Sequence, residues 1–297
     1  MSEVEMLSKQ EGAEFVDFPF LNYHHLQKNL IDIVEYLNGK DFCLGMSEFD
    51  LKRHFIEALN QLQNSELKVQ EKIIIEFDNE MHVKKMLDNG LIEEEDLVND
   101  NHLFSEQDQL EIRYKIESAL GLIKLLHNDL YNLINQYIST ILVVKKSGFG
   151  GGSVSGFVGF IWINAHSHWS IVDLAEHIYH EFVHNSLFVD DMVNSIFPDP
   201  AACAEEDGLV TSTILKIKRP LDRSYHAANV AVSIMHLYYM LRDRRKDRNY
   251  FPELAVTLNE LNQKTYLLGK QGILILEKLN QFCANPSFED ISRSLRK

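Results

Sequence analysis

The stretch Ile171-Val-Asp-Leu-Ala-Glu-His-Ile-Tyr-His-Glu-Phe-Val-His-Asn-Ser-Leu-Phe188 places Leu174, Ile178 and Phe182 at every fourth position, the spacing of one face of an α-helix. Ser170 or Asp173 supplies a side-chain acceptor for the first turn, so the pattern predicts a helix from there to about Phe188. That helix carries His180-Glu181-Phe182-Val183-His184, an HExxH motif. Residues four apart differ by about 40° around the helix axis and one turn along it, so both imidazoles can reach one ion from the same face. Glu181 leaves the axis about 100° away from His180.

Upstream of this helix the period changes. ILVV at 141–144 and FVGFIWIN at 157–164 are β-branched and aromatic, and the segment from Gly148 to Gly159 holds six of the 14 glycines, which predicts a hairpin with a flexible loop. Further out the patterns are helical: Tyr23 to Leu37, Glu48 to Leu62, Leu67 to Phe77, and one long amphipathic stretch from Ser105 to about Tyr137. Met86 to Asn101 reads as a charged connector. After the motif, Asp199-Pro200 opens a helix ending near Gly208, and helical patterns follow at Leu221 to about Leu241, Pro252 to Leu268 and Gly272 to Phe282. The expected fold class is α+β, mainly α-helical, with a small β-sheet or hairpin next to the HExxH helix.

The chain has 297 residues, 45% of them apolar, enough for a sizeable core. No apolar run approaches the ~18 residues of a membrane-spanning helix. The opening MSEVEMLSKQEGAEF lacks the basic-then-apolar layout of a signal peptide, so a cytoplasmic protein is expected, without a membrane partner. Cys43, Cys203 and Cys283 are far apart and form no CxxC, so any metal site must use histidine and carboxylate. The net charge of −15 resides entirely in residues 1–140, with 12 Lys+Arg against 27 Asp+Glu, while residues 141–297 carry 17 of each. Such an acidic half repels phosphate backbones, and no nucleic-acid partner is expected. Two regions follow, 1–104 as an acidic helical N-terminal region and 105–297 as an HExxH metal-binding catalytic region.

The third ligand decides what an HExxH does. Leu187 and Asp190 stand where a metzincin needs glycine and histidine, which excludes that class. A thermolysin-like zinc peptidase takes a glutamate about 20 residues on, and Glu205 and Glu206 lie 21 and 22 residues after His184. His226, on the helical face with Val230 and Leu237, is the remaining candidate. His177 is too far along the helix from His184 to join the same ion comfortably, and it is assigned to the pocket wall or to the residues that support the ligands. His166 and His168 form an HxH that reads as exposed loop histidines.

The order of FVGFIWIN, HEFVHN and KRPLDRSYHAANVAVSIMHLYYM resembles the HExxH-domain family of peptide-modifying enzymes found with ribosomally made peptides. The likeness covers roughly residues 140 to 245, and its specific parts are the HExxH and Arg219-Pro220-Leu221 followed by His226-Ala227. It implies an iron- and 2-oxoglutarate-dependent oxygenase that hydroxylates a side-chain β-carbon of a ribosomal precursor peptide, with His226 as third ligand beside His180 and His184. Three ligands on one face leave three octahedral positions for the keto acid and oxygen. The distal carboxylate of 2-oxoglutarate needs a cation, for which Arg219 is the first choice and Arg223 the reserve. In that reading Glu181 orients a ligand or water. In the alternative, a zinc metallopeptidase, Glu181 is the general base. The FVGFIWIN strand is a further candidate to pair with an extended peptide by edge addition.

Overall fold

The computed structural model describes residues 17–146, 148 and 150–297. The reading of residues 1–15 lies outside the described residues, as do Ser147 and Phe149 of the glycine-rich segment. In chain order the helices and strands are α1 (Tyr23–Asn38), α2 (Glu48–Gln63), β1 (Ile74–Glu76), α3 (Glu80–Asp88), α4 (Glu106–Leu126), α5 (Asn128–Tyr137), β2 (Thr140–Val143), β3 (Gly151–Gly152) and β4 (Phe160–Ile163). They continue with α6 (Ile171–Asn194), α7 (Pro200–Ala204), β5 (Val210–Thr211), β6 (Lys218–Arg219), α8 (Leu221–Met240), α9 (Phe251–Asn262), α10 (Lys270–Ala284) and α11 (Phe288–Ser294). The fold is α+β and mainly helical, with one four-stranded sheet and one two-stranded hairpin. Among the described residues no helix is long and apolar enough to cross a membrane.

The motif helix α6 is the centre of the molecule. Ser170 and Asp173 close a capping box at its start, and Ser195 ends it in the left-handed conformation at φ 53°. The predicted end at Phe188 falls six residues short, because Val189 and Asp190 are also buried and the helix continues against its neighbours. It packs on α1, α4, α5 and α8, and for that reason carries buried residues on nearly every face. Phe182 meets the fully buried Tyr137 edge-on at 5.6 Å. A ring so enclosed contributes about 1.5–3 kcal/mol through removal from water.

The sheet differs from the expected hairpin. Its order is β1-β2-β4-β3, with β2 parallel to β4, so ILVV and FVGFIWIN lie side by side but run the same way. The antiparallel partner of β4 is the two-glycine strand β3, with Gly151 opposite Ile163 and Gly152 opposite Trp162. β4 is therefore flanked on both sides, and peptide addition at its edge is excluded over Trp162 and Ile163. β1 was not expected: the helix predicted over Leu67–Phe77 gives way to a strand, where Ile73-Ile74-Ile75 supplies three β-branched residues in a row. The long stretch from Ser105 is two helices. His127 is extended at φ −155° between them, its Nδ1 accepting from the Leu130 amide. The charged connector holds the end of α3 and a kinked 3₁₀ segment at Glu94–Asp100.

Within the described residues, the part of the acidic region from residue 17 to 104 and the region 105–297 share this sheet and one hydrophobic core that runs from Phe18 to Leu295. Their joint is polar as well as apolar. Asp190 of α6, fully buried, accepts from His25 and Asn29 of α1, from Asn194, and from Gln271 of α10. These bonds hold its carboxyl below the ordinary value even though burial alone pushes it up.

Candidate metal centre

Within α6, His180 Nε2 lies 3.2 Å from His184 Nε2. Two imidazole nitrogens held at about 2.1 Å by one ion stand about 3.0 Å apart in an octahedron and about 3.4 Å in a tetrahedron, so this pair fits either. The third atom of the cluster comes from Glu181. Its Oε1 is 3.7 Å from His180 Nε2, and Glu181 belongs with His180 and His184 to a group whose donor atoms all lie within 4.8 Å of one another. Helical spacing sets only the direction of the Cα–Cβ bond; the glutamate has length enough to fold back. Ser153 of the glycine-rich segment donates to Oε2 at 2.7 Å and leaves Oε1 facing the histidines. Nothing in the sequence marks Ser153, because its role depends on β3 returning the chain across α6.

His226, at the first turns of α8, is brought to the same place, but its geometry differs from the expected convergence of three nitrogens. Its Nδ1 meets His184 Nδ1 at 2.9 Å, so His184 offers Nε2 to His180 and Nδ1 to His226. One nitrogen of His184 cannot face both neighbours, and His226 sits behind His184 rather than beside its Nε2. If His184 ligates through Nε2, its Nδ1–H donates to His226, the contact that fixes the tautomer and ring orientation of a metal-bound histidine. Burial, then the neighbouring imidazoles, holds His180 well below the ordinary histidine value; burial, then His226 and Arg219, does the same for His184. Burial pushes His226 down to about 3. All three rings are therefore neutral at physiological pH, as ligands must be. Burial raises Glu181 to about 7, opposed in part by the Ser153 hydrogen bond.

Arg219, in β6, is half-buried and close enough to His184 to lower its proton affinity. No carboxylate lies within ion-pair distance of it among the described residues, and Arg223, exposed one turn into α8, adds a second positive charge nearby. Glu205 and Glu206 are not brought in. Both are exposed where α7 passes into a 3₁₀ turn, outside the cluster. His177 Nδ1 lies 2.9 Å from the Asp173 carbonyl, its ring is 4.0 Å from Trp169, and a Cβ on Gly150 would come within 2.8 Å of its Nε2. His166 and His168 stack at 5.5 Å, and among the described residues they join no third ligand.

Neither a protein-family model nor a curated protein matches this chain.

Proposed function

We propose that this protein is an iron- and 2-oxoglutarate-dependent oxygenase that hydroxylates a side-chain β-carbon of a ribosomally synthesised peptide. The observation that carries the reading is the donor set: two imidazoles and one carboxylate, with the half-buried Arg219 beside them, in no ion pair among the described residues although Asp222 acts on it from a distance. Two histidines and a carboxylate on one face are the ligands that non-haem iron oxygenases use. Iron, when bound with 2-oxoglutarate and oxygen, supplies the oxidising power that replaces a C–H bond by C–OH.

The residues of the chain divide the remaining work. His180 and His184 hold the ion, and Glu181 presents Oε1 while Ser153 fixes Oε2. His226 orients His184 through Nδ1; in the three-histidine form of the same proposal it ligates in place of Glu181. Arg219 binds the distal carboxylate of 2-oxoglutarate as a planar fork, with Arg223 raising the local potential.

The test is anaerobic addition of Fe(II) and then 2-oxoglutarate, read as a visible charge-transfer band. A band that is lost in His180→Ala and weakened at fixed 2-oxoglutarate in Arg219→Met is expected. His226→Ala separates its two roles: an orienting residue costs about 10–100-fold in iron affinity and excess iron restores the band, whereas a ligand's loss is not restored.

The position of Glu181 favours one second reading, a zinc metallopeptidase. A carboxylate raised to about 7 inside the cluster suits a general base acting on zinc-bound water. In that case Glu181→Gln retains stoichiometric zinc and loses all peptide cleavage, and no band forms with iron.

A further inference from the structure

On the far side of the sheet from the metal cluster, β1 is an edge strand, paired only with β2. The Ile74 amide donates to Ser139 at 2.9 Å, and alternation turns the main-chain groups of Ile73 and Ile75 away from β2. A groove of about 370 Å³ adjoins this edge, lined by Ile73, Ile75, Leu120 and Tyr131. Lys72, Arg113 and Lys124 line it against a single carboxylate, Glu117.

These three cations are not consumed by ion pairs. Arg113 lies over the Phe77 ring at 5.3 Å and Lys124 over Tyr131 at 5.1 Å, and none of the three has a carboxylate partner among the described residues. This is an unusual place for them: residues 1–140 carry a net charge of −15, and the groove within that region is net positive. A cationic rim, an apolar floor and unpaired strand donors and acceptors together define a strand-shaped ligand with negative charge.

We propose that the free edge of β1 binds an acidic, extended peptide segment by strand addition, its main chain pairing with Ile73 and Ile75 and its carboxylates meeting Lys72, Arg113 and Lys124. In the reading of the protein as a peptide hydroxylase, on which the identity of the bound chain rests, the segment belongs to the substrate and lies outside its modified part. Nucleic acid is disfavoured as the occupant, because the surrounding acidic surface repels a long phosphate backbone while a short segment feels chiefly the cations within about 10 Å.

The experiment uses the full chain and a fluorescein-labelled peptide of alternating glutamate and valine, about twelve residues long, read by anisotropy. Alternation puts the carboxylates on one face of an extended strand and the valines on the other. Binding is expected to weaken by at least about tenfold in Lys72→Glu/Lys124→Glu and on raising salt from about 0.05 to about 0.5 M. It should weaken similarly when proline replaces two central residues of the peptide, which removes strand donors, and be absent for the lysine–valine counterpart. His180→Ala/His184→Ala should bind the peptide unchanged, so that failure of the iron reading leaves this result standing and failure here leaves the charge-transfer band standing. Equal affinity of the charge-reversed variant or of the proline peptide overturns the proposal. So does tighter binding of a single-stranded oligonucleotide. Self-association of the charge-reversed variant with undiminished peptide binding also overturns it, assigning the lysines to protection of the edge.

Discussion

Lys52 shows how one residue can oppose the fold that holds it. Its side chain is 1% exposed in α2, with Asn135 Oδ1 the nearest acceptor at 3.5 Å, and burial pushes its ammonium down to about 8. The unfolded chain keeps the ordinary value near 10.5, so between pH 8 and 10.5 the unfolded state binds more protons than the folded one. Stability therefore rises with pH across that window, and below pH 8 the buried charge is a cost. Lys52→Met is expected to stabilise the protein at pH 7 by on the order of 1–3 kcal/mol, with the gain shrinking as pH approaches 10. Thermal unfolding of both proteins at pH 7 and 9.5 measures this; a gain equal at both pH values would mean that the folded and unfolded chains hold the Lys52 proton alike, and that burial does not lower its ammonium.

Elements carry the next level, and the contact of α6 with the sheet is the one that places Glu181. Gly159 sits at φ +85°, its amide donating to Asn185 Oδ1 at 2.9 Å, while Asn185 Nδ2 donates to the Glu181 carbonyl. A Cβ on Gly159 would also crowd Leu67 and Leu59 at 3.1 and 3.2 Å. Gly159→Ala is expected to cost about 1–3 kcal/mol from backbone strain, and Asn185→Ala a similar amount from the buried amide left unpaired. Because the strain at residue 159 displaces the amide that Asn185 accepts from, both changes act on one hydrogen bond, and the double variant should cost less than the two added, by at least about 0.5 kcal/mol in urea unfolding. Strict additivity would separate the two effects. The same contact shows what the sequence can and cannot convey. HEFVH and its helix are legible because spacing alone sets which side chains share a face, and α8 was bounded within a residue for the same reason. β1 and the parallel pairing of β2 with β4 were not legible: three-residue strands carry too few periods, and pairing direction depends on where the chain goes between them. Ser153 was hidden by the same long-range geometry, and the reach of Glu181 by side-chain length, which backbone periodicity ignores.

For the whole molecule, the decisive quantity is the number of histidines kept neutral. Burial, as the largest cause, lowers the proton affinity of His82, His177, His180, His184, His226 and His236, and it takes His226 and His236 to about 3. Two of the six stand apart from the His180–Glu181–His184 cluster: His82 against Phe157 and Phe160, where Glu76 at 2.8 Å offsets part of the effect of burial, and His236 between Tyr179 and Ser292. In the unfolded chain all six titrate near 6.5. As pH falls below 6.5 the unfolded state takes up protons that the folded state refuses, so stability is lost, at about 1.4 kcal/mol per pH unit for each histidine fully affected. The direction is opposite to that of a histidine paired with a carboxylate on the surface, whose charged form the fold would favour. Urea unfolding of the metal-free protein is expected to show a midpoint that falls steeply from pH 7 to pH 5, with several protons taken up per molecule unfolded at pH 5. His236→Asn should remove close to one of those protons while leaving the cluster intact. Bound metal should lower the acid limit of stability further, since an imidazole held by an ion cannot accept a proton without releasing it. A midpoint that stays level between pH 7 and pH 5 would show that these rings are protonated in the folded protein, and would remove the neutral imidazoles on which the proposed metal centre depends.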